Sequence, residues 1–455
     1  KTGNTYFAPR GDAYNFGGAK GLLVVPYDYA TTSTAFKLDD TGSTDTTIDR
    51  RQNVLPSRFG EGFETGVGIS NEVMGAMAAY RTLDYDTGLN GTGRTVYVAA
   101  VAGDTLKQHT ASGYTAPTNN AVFDTNGYVD SAVGFERAYY TDGIKYWAFN
   151  PVKGANGDVE ELVASAGSIP QFCQLISYWR DRLVIAREAP FPGTWHMSKV
   201  GDPTNWDFVP DVPTVIDAVS SSTSQAGQVP DAINAVIPWT DDLLLFGGDS
   251  TLWALAGDPL AANSFFDLIS DQTGVAFGHA WCKDPEGNLW FFGSDGGLYF
   301  MQPQSRPVRV SLNSVEYQLR SIDFTSYRVE LAWNPVDEGV HIMQVPKGGG
   351  GALIDHWFYE VPTQSWHKDR FGIASTDLIQ PTCLRRANGD LPQDRVLLLG
   401  GEDGRIRCLP DSVSSIARSD EKTNSTNVAI DSYVTIGPMV NTPYQGATRL
   451  TEFGA

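Results

Sequence analysis

The sequence predicts an all-β fold: a multi-bladed β-propeller with an additional β-rich platform formed by the chain ends. Three observations carry that expectation. The 455 residues hold 47 Gly, 25 Pro and 11% aromatics, while runs of Ala, Leu, Glu and Lys are nearly absent, a profile of many short strands joined by tight turns. One hairpin plan also recurs: an apolar strand, a Gly-containing polar turn, and an apolar strand returning. Finally, these units sit roughly 40–50 residues apart, the spacing of four-stranded propeller blades.

The clearest copy runs from Pro238 to Leu255, with Leu243–Phe246 meeting Gly247-Gly248-Asp249-Ser250 before Leu252-Trp253. A second spans Asp284–Met301 and turns through Gly293-Ser294-Asp295-Gly296. A third spans Asp394–Leu409 and turns after Gly400-Gly401. Looser copies are Arg94–Val101 with Asp104–His109, Ala138–Phe149 turning at Asp142-Gly143, and Tyr178–Ala186 leading into Trp195–Ser198. Gly339–Val345 pairs with His356–Val361 across the Gly348–Gly351 loop. The competing architecture is a β-sandwich, which seldom sustains one hairpin plan over 300 residues.

Residues 1–85 break the plan. Thr31–Asp49 is polar and aperiodic, and Asn71–Arg81 carries Met74, Ala78 and Arg81 at helical spacing, which predicts one short helix. Strand-like sequence resumes at Val428. The expected organisation is therefore 1–85 as the N-terminal part of the platform, 86–427 as the propeller, and 428–455 as strands returning to the platform. The platform lacks a self-contained core pattern and is expected to supply most subunit contacts. The chain opens at Lys1 and closes on Thr451–Ala455, which reads as mid-strand, so a longer native chain is expected.

Charge narrows the partners. Thirty-three basic residues stand against 53 acidic ones, a formal −20. A protein that grips nucleic acid by its phosphates needs the opposite sign, so DNA, RNA and anionic membranes are poor ligands for most of this surface. No apolar run is long enough to span a membrane. Cys173, Cys282, Cys383 and Cys408 are scattered without a C-x-x-C pair, which predicts reduced, buried thiols and no zinc site.

A search for chemistry finds no P-loop, no G-x-S-x-G and no H-E-x-x-H. The histidines at 109, 196, 279, 341, 356 and 367 have no metal-ligand spacing and read as hydrogen-bonding or stacking residues. The acids concentrate in turns, where Asp accepts backbone N–H groups. The Trp residues between Trp179 and Trp366 lie in or beside the repeats, so packing between blades explains them better than a carbohydrate-stacking face does. No catalytic, cofactor or metal residue is assigned, and the chain is expected not to be an enzyme.

One set of motifs resembles a known family. Arg180-Asp181-Arg182-Leu183 is followed by Trp195-His196-Met197-Ser198-Lys199-Val200-Gly201-Asp202-Pro203-Thr204-Asn205-Trp206. Asp249-Ser250-Thr251-Leu252-Trp253, Gly274-Val275-Ala276, Gly296-Gly297-Leu298-Tyr299 and a helix-like stretch over Ser311–Ser326 come next. Asp355–Tyr359 and Gln364-Ser365-Trp366 close the series. In this order, over roughly 175–410, they resemble the tail nozzle and tail stabilisation proteins of short-tailed bacteriophages. The resemblance implies a structural virion protein, assembled in the bacterial host cytoplasm. It would form a homo-oligomeric, typically hexameric ring that surrounds the DNA exit channel at the tail tip. Its implied partners are a portal-adaptor protein and tail fibre, spike or needle proteins, and double-stranded DNA would pass without binding. The candidate channel-lining acidic turns are Asp241, Asp242, Asp284, Glu286, Glu402 and Asp403, on a surface expected to be free of Lys/Arg clusters. The alternative is a propeller glycosidase or lectin acting on host cell-surface glycan, which would need paired carboxylates in an open mouth.

Overall fold

A computed structural model of the chain describes residues 78–83 and most of 94–409, together with 24–25, 419–423, 426–429 and 433–434. Seven antiparallel meanders follow one another along the sequence. Blade 1 is Ala78–Leu83, Arg94–Ala102, Thr105–Thr110 and Gly113–Thr115. Blade 2 is Asp130–Gly134, Arg137–Thr141, Tyr146–Asn150 and Asp158–Glu161, and blade 3 is Cys173–Trp179, Arg182–Glu188, Phe191–Met197 and Val219–Ser220. Blade 4 is Ala235–Pro238, Leu243–Gly247, Leu252–Ala256 and Phe265–Ser270, and blade 5 is Trp281–Lys283, Leu289–Phe292, Leu298–Met301 and Val308–Arg309. Blade 6 is Tyr327–Asn334, Gly339–Pro346, His356–Glu360 and Ser365–Asp369; blade 7 shows Pro381–Arg386, Leu397–Gly401 and Ile406–Leu409.

The first strands stand side by side around a common axis, and the first strand of blade 7 returns beside that of blade 1. The molecule is an all-β propeller. Each blade is sandwiched between two others, so its second strand is buried on both faces. That is why Leu183–Ala186, Leu244–Phe246 and Leu397–Leu399 are uninterrupted apolar runs and do not alternate. The hairpins around Gly247, Gly293 and Gly400 fall in blades 4, 5 and 7, as the repeat predicts. Gly247 is required sterically, since a Cβ there would stand 2.3 Å from Val275 Cγ2.

Polar clasps tie neighbouring blades at the axis. Asp130 of blade 2 accepts the Ile176 amide of blade 3 at 3.0 Å, and Glu330 of blade 6 accepts the Leu384 amide of blade 7 at 3.1 Å. Aromatic rings fill the spaces further out. Trp179, Trp195, Trp206, Trp239, Trp290, Trp357 and Trp366 are buried, so these rings serve packing as expected.

Two expectations fail at the N-terminal side. The helix over Asn71–Arg81 is overturned where it can be followed. Ala78–Leu83 is a strand, paired antiparallel with Arg94–Ala99, so the platform boundary at residue 85 also cuts through blade 1. Helical spacing of three side chains is weak against a full ladder of backbone bonds offered by a neighbouring strand. Residues 71–77 lie outside the described residues. Val24–Val25 pairs with both Tyr433–Val434 and the outer strand of blade 6 at His367, which brings two segments from opposite ends of the chain to one edge. The helix among the described residues is α1, Glu316–Arg320, inside the stretch where the family resemblance implies one.

Candidate functional site

The Arg180–Leu183 motif builds a compact unit in blade 3. Arg180 and Asp181 both take positive φ, 50° and 53°, which makes the two-residue hairpin between the first and second strands. Arg182 then points inward with no exposed surface. Its Nη1 donates to the carbonyls of Ser198 (2.8 Å) and Asp217, its Nη2 donates to Val215 O at 3.0 Å, and Asp258 of blade 4 lies 3.9 Å away. Burial pushes the Arg182 pKa down, and Asp258 and Asp217 oppose that shift.

The second half of the motif closes on the first. Gly201, at φ 74°, donates its amide to Asp181 O at 2.8 Å. Asp202 Oδ1 accepts from the Thr204 amide (2.9 Å) and hydroxyl (2.7 Å), and Trp206 donates from Nε1 to Pro203 O at 3.0 Å while 1% exposed. The spacing between Arg182 and Trp206 thus records one hydrogen-bonded object.

The acidic turns separate. Asp241 and Asp242 join the first and second strands of blade 4, and Asp284 with Glu286 does the same in blade 5, which sets both on one face of the propeller. Asp242 is 87% exposed and pairs with Arg180 at 3.2 Å. Asp284 is a correction: it is buried and cannot line a channel. It accepts from the Asn288 amide (2.8 Å), Asn288 Nδ2 (2.8 Å) and Trp290 Nε1 (3.2 Å), because a turn of this type leaves amides that a short acid satisfies. Glu402 and Asp403 lie outside the described residues, between the second and third strands of blade 7, a connection of the opposite kind.

The propeller axis is polar, an arrangement the sequence did not signal because its members come from different blades. A cavity of about 180 Å3 is lined by the first strands of blades 2 to 5, including Asp130, Ser131, Ser177, His279 and Trp281. Beside it, Arg328 and Arg385 flank Glu330 at 3.5 and 3.9 Å. Burial pushes Asp130 up to about 6, opposed by the Ile176 amide and Arg385, and raises Glu330, opposed by Arg328 and Arg385. Burial, reinforced by Arg385, holds His279 well below its ordinary range, and its ring packs on Trp281 at 4.9 Å.

Further side chains of blades 2, 3, 5 and 6 form a chain of contacts. Arg187 sits 4.8 Å from the Phe277 ring, Phe277 lies 5.3 Å from Tyr128, and Arg328 lies 5.5 Å from Tyr128. The axial wall carries arginines between its acids.

Elsewhere Asp295 and Glu316 face each other, but Arg309 bridges them at 2.8 and 2.5 Å, and Tyr299 donates to Asp295 at 2.8 Å. Histidines stack or accept hydrogen bonds: His341 lies 4.5 Å from Phe358, and His356 Nδ1 accepts the Gln344 amide at 3.2 Å. Cys173, Cys282 and Cys383 are buried free thiols. Burial pushes Cys173 and Cys383 up to about 12. No helix among the described residues is long and apolar enough to cross a membrane.

No family model matches the chain, and no curated protein matches it. Its fold is similar to solved propeller proteins. The extracellular domain of a one-component system from B. thetaiotaomicron aligns with TM-score 0.48 and 11% identity over 81% of this chain, which spans 40% of the length of that one. YCF48 bound to D1 peptide aligns with TM-score 0.45 and 9% identity, covering 76% and 95% of the two chains. Virginiamycin B lyase from Staphylococcus aureus aligns with TM-score 0.44 and 9% identity, covering 73% and 99%. These likenesses concern the fold.

Proposed function

We propose that the chain is a non-catalytic structural protein of a short-tailed bacteriophage tail, a nozzle subunit that forms a homo-oligomeric ring and docks other tail proteins. The observation that carries this reading is the order of the nozzle-like motifs. They run along four consecutive blades, 3 to 6, and the first two are joined around Arg182. DNA would pass through a lumen enclosed by several copies of the chain. The acidic balance of −20 suits a wall that releases phosphates.

Negative-stain electron microscopy of the purified protein, over a range of concentrations, tests the reading. Rings with an open lumen are expected, and monomers in every preparation contradict it. Duplex DNA should show no measurable affinity in an anisotropy assay at physiological salt; tight, salt-dependent binding would replace the passive conduit with a DNA-handling role.

A further inference from the structure

Outer edges of blades are unpaired strands that invite pairing with other chains, and proteins usually shorten, charge or cover them. Most outer strands here follow that rule. Gly113–Thr115 in blade 1 has three residues, and Val219–Ser220 in blade 3 has two, both buried. Asp158–Glu161 in blade 2 ends in two exposed glutamates, and Val308–Arg309 in blade 5 is two residues long behind Pro307. The outer strand of blade 6 is covered by Val24–Val25.

Blade 4 departs from it. Phe265–Ser270 is six residues long, has no buried member, and has no pairing partner beyond Leu252–Ala256 among the described residues. Phe266 anchors it, its ring 5.6 Å from Phe246 and 6.1 Å from Trp195. Phe265 and Leu268 are left 55% and 43% exposed. The strand carries neither proline nor lysine. Its one charge is Asp267, followed by Asp271, and neither carboxylate has an ion-pair partner among the described residues.

We infer that this edge is a docking site for an extended segment of a different protein, one that carries an aliphatic and a basic side chain on one strand face and an aliphatic one on the other, and adds to blade 4 as a fifth strand. Main-chain hydrogen bonds along the open edge would supply register, and aliphatic groups would cover Phe265 and Leu268. Lysine or arginine would face Asp267 and Asp271, a cross-strand pairing of opposite charges. A second copy of this chain suits the edge poorly, because it brings the same acids and a net −20. The inference rests on the geometry of blade 4 and does not require the virion reading.

The probe is an acetylated, fluorescently labelled nonapeptide centred on Val-Lys-Thr-Val, which in antiparallel register sets its valines opposite Leu268 and Phe265 and its lysine opposite Asp267. A backbone N-methylated twin keeps every side chain but loses strand donors. Saturable binding is expected for the first peptide, with hydrogen-exchange protection concentrated at amides 265–270. The N-methylated twin should bind at least about tenfold more weakly, as should the Asp267→Lys and Leu268→Lys proteins. Equal affinity for the two peptides would reduce the effect to charge attraction and overturn the inference. So would protection elsewhere, unchanged affinity in both variants, or a dimer of the chain that Leu268→Lys dissociates. Both substitutions are on an exposed edge, and circular dichroism of each variant confirms the fold before binding is compared.

Discussion

The junction between blades 3 and 4 and the junction between blades 5 and 6 solve the same packing problem with opposite chemistry. At the first, a fully buried guanidinium reaches the carbonyls of Ser198, Val215 and Asp217 and lies near Asp258 of the next blade. At the second, the Trp290 ring packs 5.8 Å from Tyr359 and 6.3 Å from Trp333 of blade 6. The aromatic junction tolerates imperfect geometry because dispersion and burial are non-directional. The arginine junction does not, because each unmade bond leaves a buried carbonyl or charge unsatisfied.

The largest test of that contrast is Arg182→Ala, expected to cost about 3–5 kcal/mol in urea unfolding because it orphans three carbonyls and Asp258. Arg182→Lys should recover less than half of the loss, since an ammonium on a flexible stem cannot fork to the same carbonyls. A cost below about 1 kcal/mol for the alanine variant would remove the distinction between the junctions. Trp290→Ala should cost about 3–4 kcal/mol through the cavity it leaves, and Trp290→Phe roughly 1–2, the ring being partly kept while the bond to Asp284 is lost.

Two buried groups set the pH response. Burial lowers His196 to about 4 from 6.5, although Glu188 lies 3.7 Å away; no hydrogen bond forms between them, and burial dominates. Its stabilisation is complete above pH 6.5 and is lost as pH falls through 4, worth about 3 kcal/mol. Asp130 runs the other way. Its pKa is raised from 3.8 to about 6, so its stabilisation is complete below pH 3.8 and lost as pH rises through 6, again about 3 kcal/mol. Asp130→Asn, neutral at every pH, should therefore lose less of its urea midpoint between pH 4.5 and pH 7.5 than the parent protein does; equal losses would remove Asp130 as the titrating group. The smallest effect belongs to Asp242→Ala. An ion pair with one partner 87% exposed should move stability by no more than about 0.5 kcal/mol.

The hairpins at 243–256, 289–301 and 397–409 were legible because each carries its own evidence locally: an apolar run, glycine in the turn, and a second apolar run. Ala78–Leu83 was misread because its partner strand lies outside the local window, and spacing within 71–81 mimicked a helix. Asp284 looked like any turn acid, and nothing in Asp-Pro-Glu-Gly-Asn distinguishes a carboxylate facing solvent from one turned under Trp290. Arg182 stood out as part of a motif, yet its burial could not be read from its type, which is usually exposed.

Composition, repeat length and hairpin chemistry determined the all-β propeller class, because these are properties of consecutive residues and of the turns between them. The tertiary structure decided what meets at the axis: Asp130, His279, Arg328, Glu330 and Arg385 come from four separate blades. It also decided that, among the described residues, the edge of blade 4 has no further strand while that of blade 6 is covered. Both outcomes depend on contacts between segments far apart in the chain, and their free energies are set by burial and by charge partners that no local pattern encodes.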